Sequence, residues 1–355
     1  MPYSMSCTEP RRTGTGPGPA LDGTAGHPPA LPAGPPESAA VPPTPAAAVL
    51  SGSALVIVGP TACAKSALAL AVARLAGDVE LLSADSMQVY RGMDIGTAKP
   101  SVAEQAEVTH HLIDLVGAHE PFSVSQYQQA AARAGQQVHR RGHRVVLVGG
   151  TGLYVQSVVD ELAIPGQYPA VRLELEAEAD TAGLHRRLAE LDPVAAGRME
   201  ASNRRRIVRA LEVTVGSGQP FSSFGPGLAQ HRPSRHRIVG LSLERHQLDE
   251  RIAARYQAQL DAGFLAEVRE LANAPEALSA SAAQALGYRE LLAHLHGACR
   301  LEEAVAQAVT RTRQFARRQQ RWFRRDPRIR WLDAGLVLAN PMAVAATLLE
   351  EWSPR

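Results

Sequence analysis

The chain has 355 residues, a formal net charge of +2 and a hydrophobic fraction of 45%. This length allows one large domain or two smaller ones, and the apolar fraction is sufficient for a packed core. The nearly balanced charge neither indicates nor excludes a nucleic-acid partner, because the clustering of charge matters more than its sum. No apolar run reaches the length of a membrane span, and the N-terminus lacks the apolar core of a signal peptide, so we expect a cytoplasmic protein.

Three cysteines, Cys7, Cys63 and Cys299, lie far apart and lack the spacing of a metal site, so we expect reduced thiols and no zinc. Residues 1–48 are rich in proline, glycine, alanine and threonine. Such a segment cannot bury enough apolar surface to offset the entropy lost on ordering. We therefore predict a disordered tail over residues 1–48, which a mistaken upstream start codon would also explain.

Beyond residue 48, short apolar runs alternate with segments of helical period. Residues 54–58, 79–83, 144–150 and 236–244 have the texture of buried strands, whereas residues 66–75 and 124–141 have the period of helices. This alternation predicts an α/β fold: a P-loop NTPase-like parallel sheet flanked by helices. Residues 160–215 are charged and helical, and they predict a helical insertion into a core domain of residues 49–159 and 216–355. An arginine-dense helix is predicted over residues 310–325.

A candidate phosphate-binding loop follows the first predicted strand and opens the first helix. It matches the pattern G-x-x-x-x-G-K-[ST] except at one position. Backbone N–H groups of such a loop point at one anion, a lysine adds a positive charge, and a hydroxyl can bind Mg²⁺. We predict that Ser66 is the Mg²⁺ ligand and that the anion is held by Gly59, Pro60, Thr61, Ala62, Cys63, Ala64, Lys65 and Ser66.

The departure from the pattern is Ala64, which stands where a glycine is expected. If the backbone there is α-like, alanine costs little. If φ is positive, the cost is about 1 kcal/mol or more. The sequence alone leaves both possibilities open.

Two further strand ends carry polar side chains. Asp85 follows the strand at 79–83, and Thr151 follows the strand at 144–150. The carboxyl ends of parallel strands line the site in an open α/β sheet. Asp85 could take a proton from a nucleophile, and Thr151 could donate to the bridging oxygen of a leaving phosphate. Asp85 as a helix cap or ion-pair partner, and Thr151 as a turn residue, are the structural alternatives.

Several segments together resemble the bacterial tRNA isopentenyltransferase family, the tRNA dimethylallyltransferases or IPP transferases. They are GPTACAKS, SADSMQVYRGMDIGTAKP, HHLIDL, EPFSVSQYQ, LVGGTGLYVQ, RRIVRALEV, QALGYREL and TRTRQFARRQQRWFRRDPRI. Their joint order, rather than any single match, makes the resemblance specific.

This resemblance implies transfer of a dimethylallyl group from dimethylallyl diphosphate to the exocyclic amine of the adenosine 3′-adjacent to the anticodon, in tRNAs reading codons that begin with U. The phosphate-binding loop would hold the diphosphate of the donor, with Mg²⁺. Asp85 would be the general base, Thr151 would hydrogen-bond the bridging oxygen, and Lys65 and Arg313 would stabilise the diphosphate. The expected partner is the tRNA anticodon stem-loop, without a membrane, and we expect a monomer.

The resemblance also implies a set of tRNA contacts. The family pattern Q-R-[IL]-x-R has Arg205 in place of glutamine here, which leaves the base preference of that contact open. The segments implied are Asp85, Ser86, Met87 and Gln88; Thr151; Arg172; Arg205, Arg206, Ile207, Val208 and Arg209; and Gly287, Tyr288 and Arg289. The last three could equally be the start of a helix. A stripe formed by Arg317, Arg321, Arg324 and Arg328 predicts a phosphate-backbone contact, although Pro327 indicates that the helix stops before Arg328. His110 and His111 are expected to be structural.

Three other functions remain open at this point. A small-molecule kinase fits the phosphate-binding loop but lacks the acidic strand end that usually holds Mg²⁺. A tRNA-binding protein without catalysis is suggested by Ala64. Prenyl transfer to a free adenine nucleotide uses the same chemistry, but the arginine-rich segments favour a macromolecular acceptor.

Overall fold

The computed structural model describes residues 49–50, 52–225 and 227–352, so the tail predicted for residues 1–48 lies outside the described residues. Val49 and Leu50 are buried in the main core. Leu50 packs so closely on Gly135 that a Cβ there would lie 2.7 Å from Leu50 Cδ2. Across the described ranges, no helix is long and apolar enough to cross a membrane.

A six-stranded parallel sheet forms the centre of the fold, in the spatial order β3-β2-β4-β1-β5-β6. Every residue of β1 and β2 is buried, as expected for parallel strands covered on both faces. This sheet confirms the predicted α/β class. The strands are β1 (Leu55–Val58), β2 (Val79–Ala84), β3 (His110–His111), β4 (Arg144–Gly149), β5 (Arg237–Ser242) and β6 (Arg330–Asp333).

The two edge strands, β3 and β6, were not predicted. β3 has only two residues, both partly buried, and no residue of β6 is fully buried. Neither therefore has the continuous apolar run that indicates a central strand. Their pairing depends on neighbouring strands β2 and β5, which are distant in the sequence.

Helices cover the sheet and extend beyond it. They are α1 (Lys65–Ala76), α2 (Val102–Glu107), α3 (Val124–Arg140), α4 (Gly152–Val159), α5 (Pro169–Ala177), α6 (Thr181–Leu191), α7 (Pro193–Gly197), α8 (Arg204–Ser217), α9 (Arg245–Asp261), α10 (Phe264–Ala272), α11 (Tyr288–Leu295), α12 (Leu301–Phe323), α13 (Ala334–Ala339) and α14 (Pro341–Trp352), with short 3₁₀ helices at Phe221–Phe224 and Ala282–Gln284.

Local sequence explains the bounds of two helices that matter for the site. Ser123 and Gln126 form a capping box at the start of α3, which satisfies backbone N–H groups left free at a helix start. α12 carries Glu302 and Glu303 in its first turn and Arg321 in its last turn, an arrangement that favours the helix dipole at both ends. The arginine-dense helix predicted over residues 310–325 is the second half of α12.

Helices α5–α8 lie between α4 and β5 in the sequence and have a core of their own. Leu184, Leu188, Ile207 and Leu211 are fully buried in it. This second core explains the amphipathic character of the segment, since each helix turns its apolar side toward the others. It is the part of the chain for which the helical insertion is predicted.

Arg328 connects the end of α12 to both chain segments that lead to helices α5–α8. Its Nη1 donates to Asp160 Oδ1 at 2.6 Å and to the Arg232 carbonyl at 2.7 Å, and its Nη2 donates to Asp326 Oδ2 at 2.7 Å. Since α12 ends at Phe323, Arg328 does not continue the helical arginine stripe. The inclusion of Arg328 in that stripe was wrong, and the halt indicated by Pro327 is confirmed.

Candidate active site

The phosphate-binding loop connects β1 to α1 at the carboxyl edge of the sheet. Gly59 has φ 147°, and an added Cβ would lie 2.7 Å from the carbonyl oxygen of Leu241. Only glycine therefore fits where the loop leaves β1 beside β5. α1 begins at Lys65, so the free N–H groups of its first turn face the space that the loop encloses.

Ala64 adopts a left-handed backbone conformation, with φ 65° and ψ 21°. Ala62 has φ 62° as well. A residue with a Cβ in this region costs about 1 kcal/mol or more. Of the two possibilities left open by the sequence, Ala64 therefore has the positive φ. Both alanines are partly buried and pack against the main core.

Lys65 and Cys63 share one acceptor inside the loop. Lys65 Nζ donates to the Pro60 carbonyl at 2.6 Å, and Cys63 Sγ donates to the same oxygen at 2.9 Å. Cys63 is fully buried, and burial raises the pKa of its thiol. The thiol therefore stays protonated and unreactive at neutral pH. Lys65 is held over the loop, where its charge can reach a bound anion.

Asp85 and Thr151 follow the ends of the paired strands β2 and β4. The Ser86 backbone N–H donates to Thr151 Oγ1 at 3.0 Å. The Met87 N–H donates to Asp85 Oδ1 at 2.9 Å, and no other hydrogen bond to the Asp85 carboxylate occurs within the described ranges. Asp85 thus has an oxygen free to accept a proton or a hydrogen bond, and the Thr151 hydroxyl is bound to Ser86, the next residue in the chain.

Close packing explains the glycines around Thr151. A Cβ at Gly149 would lie 2.2 Å from Ala84 O, and one at Gly152 would lie 2.3 Å from Trp322 Cδ1. Glycine at these positions lets β2 and α12 approach the loop that carries Thr151. The Gly-Gly-Thr-Gly run is therefore a packing feature that positions the Thr151 hydroxyl, and no carboxylate follows β4.

Two arginines that sequence reasoning missed contact the phosphate-binding loop from α9. Arg255 Nη1 donates to Thr61 Oγ1 at 2.7 Å, and Arg251 Nε donates to the Ala62 carbonyl at 2.9 Å. Burial lowers the pKa of Arg255, and its buried Nε has no hydrogen-bond partner among the described residues. The available signal was two arginines four residues apart, in a helix that follows a central strand.

Arg313, the predicted second cation, lies on α12 and contacts the start of α9. Its Nη2 donates to the Asp249 carbonyl at 3.2 Å, and its Nε lies 3.8 Å from Asp249 Oδ1. The Nε is buried without a hydrogen bond in the described part of the chain. Arg313 therefore keeps unused donors, but the structure records no contact between it and the phosphate-binding loop.

The predicted tRNA segment of residues 85–88 contains both partly exposed side chains and one that is held by internal hydrogen bonds. Ser86 and Met87 are partly exposed. Gln88 is held internally: Oε1 accepts from Ser83 Oγ at 2.8 Å, and Nε2 donates to the Thr97 and Ala98 carbonyls at 3.3 and 3.2 Å. Both hydrogens of the Gln88 amide are therefore in use, and only Oε1 can accept a further hydrogen bond without loss of an existing one.

Helix α8 presents only part of its predicted tRNA segment. Arg205 and Arg206 are exposed in the first turn. Ile207 and Val208 are buried in the second core, so the expectation that their side chains contact tRNA is corrected: they anchor the helix. Arg209 Nη1 donates to the buried Glu212 at 2.8 Å.

Arg172 and Arg209 act together as a structural pair. Arg172 Nη1 lies 3.6 Å from Glu212 Oε2, and its Nε donates to Glu176 Oε1 at 2.9 Å. Glu212 is 1% exposed, so it needs the two guanidinium groups as partners. Arg172 remains partly solvent-exposed, so it is accessible to a ligand. Arg209 is held within α8 by its hydrogen bond to Glu212.

The segment of residues 287–289 is mainly structural. Gly287 has φ 87° and precedes α11, as the structural alternative proposed. Tyr288 is 1% exposed and its hydroxyl donates to Glu267 Oε1 at 2.6 Å, so the expectation that its side chain contacts tRNA is corrected. Burial and Glu267 raise the pKa of Tyr288. Arg289, which is partly exposed, donates to Gln284 Oε1 at 2.9 Å.

The histidine pair is structural, as expected. His111 Nε2 lies 2.6 Å from Glu80 Oε2, and His110 Nδ1 lies 2.7 Å from the Val108 carbonyl. Arg141 binds both oxygens of Glu80, at 2.8 and 2.7 Å. In the described part of the chain, no group of three His, Cys, Asp or Glu residues could hold a metal ion.

A cavity of about 680 Å³ lies at the opposite, amino-terminal end of the sheet, away from the phosphate-binding loop. Several arginines line it, but their charges are compensated. Arg237 and Arg330 share Glu351 at 2.6 and 2.7 Å, and Arg144 pairs with Asp78 at 2.6 Å. These three arginines of the cavity are therefore already paired with carboxylates.

Comparison with known proteins agrees with this geometry. The family model described as IPP transferase matches residues 88–326. A tRNA dimethylallyltransferase of Pseudarthrobacter chlorophenolicus is 47% identical over 276 residues, covering 77% of this chain and 91% of that protein. One of Nocardioides is 45% identical over 295 residues, covering 81% and 94%.

Solved structures lead to the same family. A tRNA Δ(2)-isopentenylpyrophosphate transferase of Staphylococcus epidermidis has a TM-score of 0.62 and 31% identity, covering 85% of this chain and 100% of that one. A eukaryotic dimethylallyltransferase acting on tRNA has a TM-score of 0.71 and 25% identity, covering 85% and 79%. By sequence and by fold, this chain belongs to the IPP transferase family.

Proposed function

We propose that this enzyme transfers the dimethylallyl group of dimethylallyl diphosphate to tRNA. The acceptor is the exocyclic amine of the adenosine 3′-adjacent to the anticodon, in tRNAs reading codons that begin with U, and diphosphate is released. The relatives named tRNA dimethylallyltransferase support this assignment. The observation that carries it is that Asp85 and Thr151 follow the ends of the paired strands β2 and β4, at the same edge of the sheet as the phosphate-binding loop, and that Ser86, the residue after Asp85, binds Thr151 Oγ1 through its backbone N–H.

In the proposed reaction, the loop holds the diphosphate of the donor. Breaking the bond between the allylic carbon and oxygen leaves negative charge on the diphosphate, which is stabilised by Lys65, by the N–H groups that open α1 and by the guanidinium of Arg255. Arg313 can add a further cation after a side-chain movement. The desolvation of Arg255 favours this role, because a bound anion offsets the cost of burying its charge.

Asp85 acts on the acceptor. The adenine amine is a weak nucleophile because its lone pair is delocalised into the ring. The amine nitrogen forms a bond to the allylic carbon and loses a proton, which the Asp85 carboxylate accepts. Thr151 donates its hydroxyl to the bridging oxygen that leaves with the diphosphate. The adenosine must leave its stack in the anticodon loop to reach Asp85.

Mg²⁺ is proposed as the metal, with Ser66 as the protein ligand. The Ser66 side chain is exposed and makes no hydrogen bond to another described residue, so its oxygen is available. Mg²⁺ is commonly held by one or two protein ligands together with phosphate oxygens and water. When bound, it would neutralise part of the charge that develops on the leaving diphosphate.

The proposed tRNA surface combines the exposed start of α8 with the arginine face of α12. Arg205 and Arg206 on α8, Arg321 on α12 and Arg324 immediately after α12 are exposed and form no ion pair with a described residue. Unpaired guanidinium groups suit phosphate contacts, which position the RNA without reading its sequence. Salt-dependent binding of tRNA follows from this arrangement.

The test compares donors and acceptors in one assay. Purified protein and Mg²⁺ are mixed with labelled dimethylallyl diphosphate or γ-labelled ATP, and with unmodified tRNA or AMP. We expect label from the prenyl donor in tRNA and none in AMP. Label in AMP would assign the reaction to free nucleotides, and phosphate transferred from ATP would support the kinase alternative.

A further inference from the structure

Gln319 on α12 connects the phosphate-binding loop to the loop that carries Thr151. Its Oε1 accepts a hydrogen bond from the Thr61 backbone N–H at 2.9 Å, and its Nε2 donates to the Gly150 carbonyl at 2.9 Å. The residue is 7% exposed. Both ends of one buried amide are therefore used, and each end holds a different loop of the active site.

The close approach of Gln319 depends on Gly150. A Cβ at this position would lie 2.3 Å from Gln319 Nε2 and 3.4 Å from the Gly59 carbonyl. A Cβ at residue 150 would therefore displace the Gln319 amide. Gly150 and Gln319 therefore fit together as one unit.

This unit lies where the sheet no longer holds the two loops together. Val58 and Gly149 are the last paired residues of β1 and β4. Beyond them the chains diverge into the phosphate-binding loop and the Thr151 loop. The Gln319 amide bridges the two loops immediately beyond that pair, so it continues the connection that the strand ladder begins.

A path of hydrogen bonds and covalent bonds then leads to the catalytic carboxylate. Gly150 is bonded to Thr151, whose Oγ1 accepts from the Ser86 N–H at 3.0 Å, and Ser86 is bonded to Asp85. The position of Asp85 relative to the diphosphate thus depends on the Thr61–Gln319–Gly150 link at one end of this path.

We propose that Gln319 is a positioning residue that fixes the distance between the diphosphate cradle and the Thr151–Asp85 pair. This inference rests on the proposed function. Prenyl transfer requires the allylic carbon to lie between its leaving oxygen and the incoming amine nitrogen, and a misplacement of about 1 Å can cost roughly 100-fold in rate. Gln319 acts through other residues, because both ends of its amide bind protein.

The test is Gln319→Met, which keeps the length of the side chain and removes both hydrogen bonds. We expect kcat for prenyl transfer to fall by about 10- to 100-fold. The dissociation constant for inorganic diphosphate with Mg²⁺, measured by calorimetry, should change by less than about threefold, because Lys65 and the start of α1 still bind the anion. Gln320→Met is the matched control, since Gln320 makes no side-chain hydrogen bond to a described residue.

A second variant covers the case in which Gln319→Met folds poorly. Gly150→Ala displaces the Gln319 amide while leaving residue 319 intact, and it should lower kcat to a similar degree. Because both changes break the same link, kcat of the double variant should be no lower than that of the less active single variant.

Wild-type protein in the same assay distinguishes a failure of the proposed function from a failure of the proposed role of Gln319. If wild type transfers no prenyl group, the proposed function is wrong. If wild type is active and both folded variants keep kcat within about twofold, the role of Gln319 is wrong. A loss of diphosphate affinity equal to the loss of kcat would also overturn it, because Gln319 would then only support binding.

Discussion

Arg255 donates a hydrogen bond from Nη1 to the Thr61 hydroxyl at 2.7 Å, so a cation on α9 reaches the middle of the phosphate-binding loop. The contact joins residues 194 positions apart in the sequence. It places the positive charge of a helix that follows β5 beside the anion site that follows β1.

Arg255→Ala should weaken the prenyl-donor site. Hydrogen bonds to charged groups contribute about 1.5–3 kcal/mol, so we expect kcat/KM for dimethylallyl diphosphate to fall by roughly 10- to 100-fold. Arg245→Ala is the matched control, because Arg245 lies on the same helix, is 76% exposed and comes no closer than 4.0 Å to Asp249. Equal effects of the two substitutions would contradict a specific role for Arg255.

Asp85→Asn should separate binding from chemistry. The amide keeps the shape of the side chain but cannot accept the proton of the adenine amine, and general-base catalysis typically contributes about 10²- to 10⁴-fold. We expect kcat to fall within that range while tRNA binding, measured by filter retention, is retained. Asp261→Asn, a change on the exposed face of α9, serves as the control. Full activity of Asp85→Asn would remove the assignment of the general base.

Ala64→Gly should be neutral or favourable. Relief of the positive-φ cost, about 1 kcal/mol, is partly offset by the entropy that glycine loses on folding. Thermal unfolding should therefore show an unchanged or slightly higher melting temperature, and the KM for dimethylallyl diphosphate should not rise. A large loss of donor binding would show that the alanine methyl group itself contributes to the site.

Glu80→Gln should destabilise the fold in a pH-dependent manner. Burial raises the pKa of this carboxyl, but hydrogen bonds from Arg141, His111 and His143 outweigh burial and lower it from 4.5 to about 2. The ionised Glu80 carboxylate therefore stabilises the folded state above pH 4.5, and this stabilisation is lost as the pH falls toward 2. We expect the variant to lose about 3 kcal/mol of unfolding free energy at pH 7.

Urea unfolding at several pH values checks this prediction. The difference between wild type and Glu80→Gln should shrink as the pH falls below 4.5. Glu107→Gln is the control, because Glu107 forms an exposed ion pair with Arg74 and such pairs contribute little. A difference that is constant with pH would contradict the role of the Glu80 charge.

Arg206→Ala should weaken tRNA binding by reducing phosphate contacts. Loss of one contact is expected to lower the slope of log K against log salt by about 1. Arg133→Ala on α3 is the control, since Arg133 is exposed and lies outside every predicted tRNA segment. Identical salt slopes for wild type and Arg206→Ala would exclude Arg206 from the interface.

The sequence predicted those parts of the fold that depend on local pattern. Four central strands, α1 and the phosphate-binding loop follow from apolar runs and a glycine–lysine–serine spacing. The edge strands β3 and β6 were missed because they are short and only partly buried. The torsion of Ala64 was undetermined, since residue type and spacing alone do not fix a backbone torsion.

The placement of Lys65 and Asp85 at the carboxyl edge of the sheet was predictable, because each follows a buried strand that the sequence marks by an apolar run. The contribution of a side chain to the site was not predictable where it depends on whether the side chain is buried. Tyr288 and Ile207 stand in segments that resemble tRNA-binding motifs, but the structure uses both side chains for packing. Arg255 and Gln319 reach the loop from helices distant in the sequence, so their contacts with the loop appear only in the folded chain.

The most direct measurement is the identity of the modified nucleoside in tRNA treated with wild-type protein, dimethylallyl diphosphate and Mg²⁺. We predict that mass spectrometry will find one dimethylallyl group on the exocyclic amine of the adenosine 3′-adjacent to the anticodon, and almost none with Asp85→Asn. Modification of another nucleoside, or unmodified tRNA accompanied by consumption of ATP, would contradict the account.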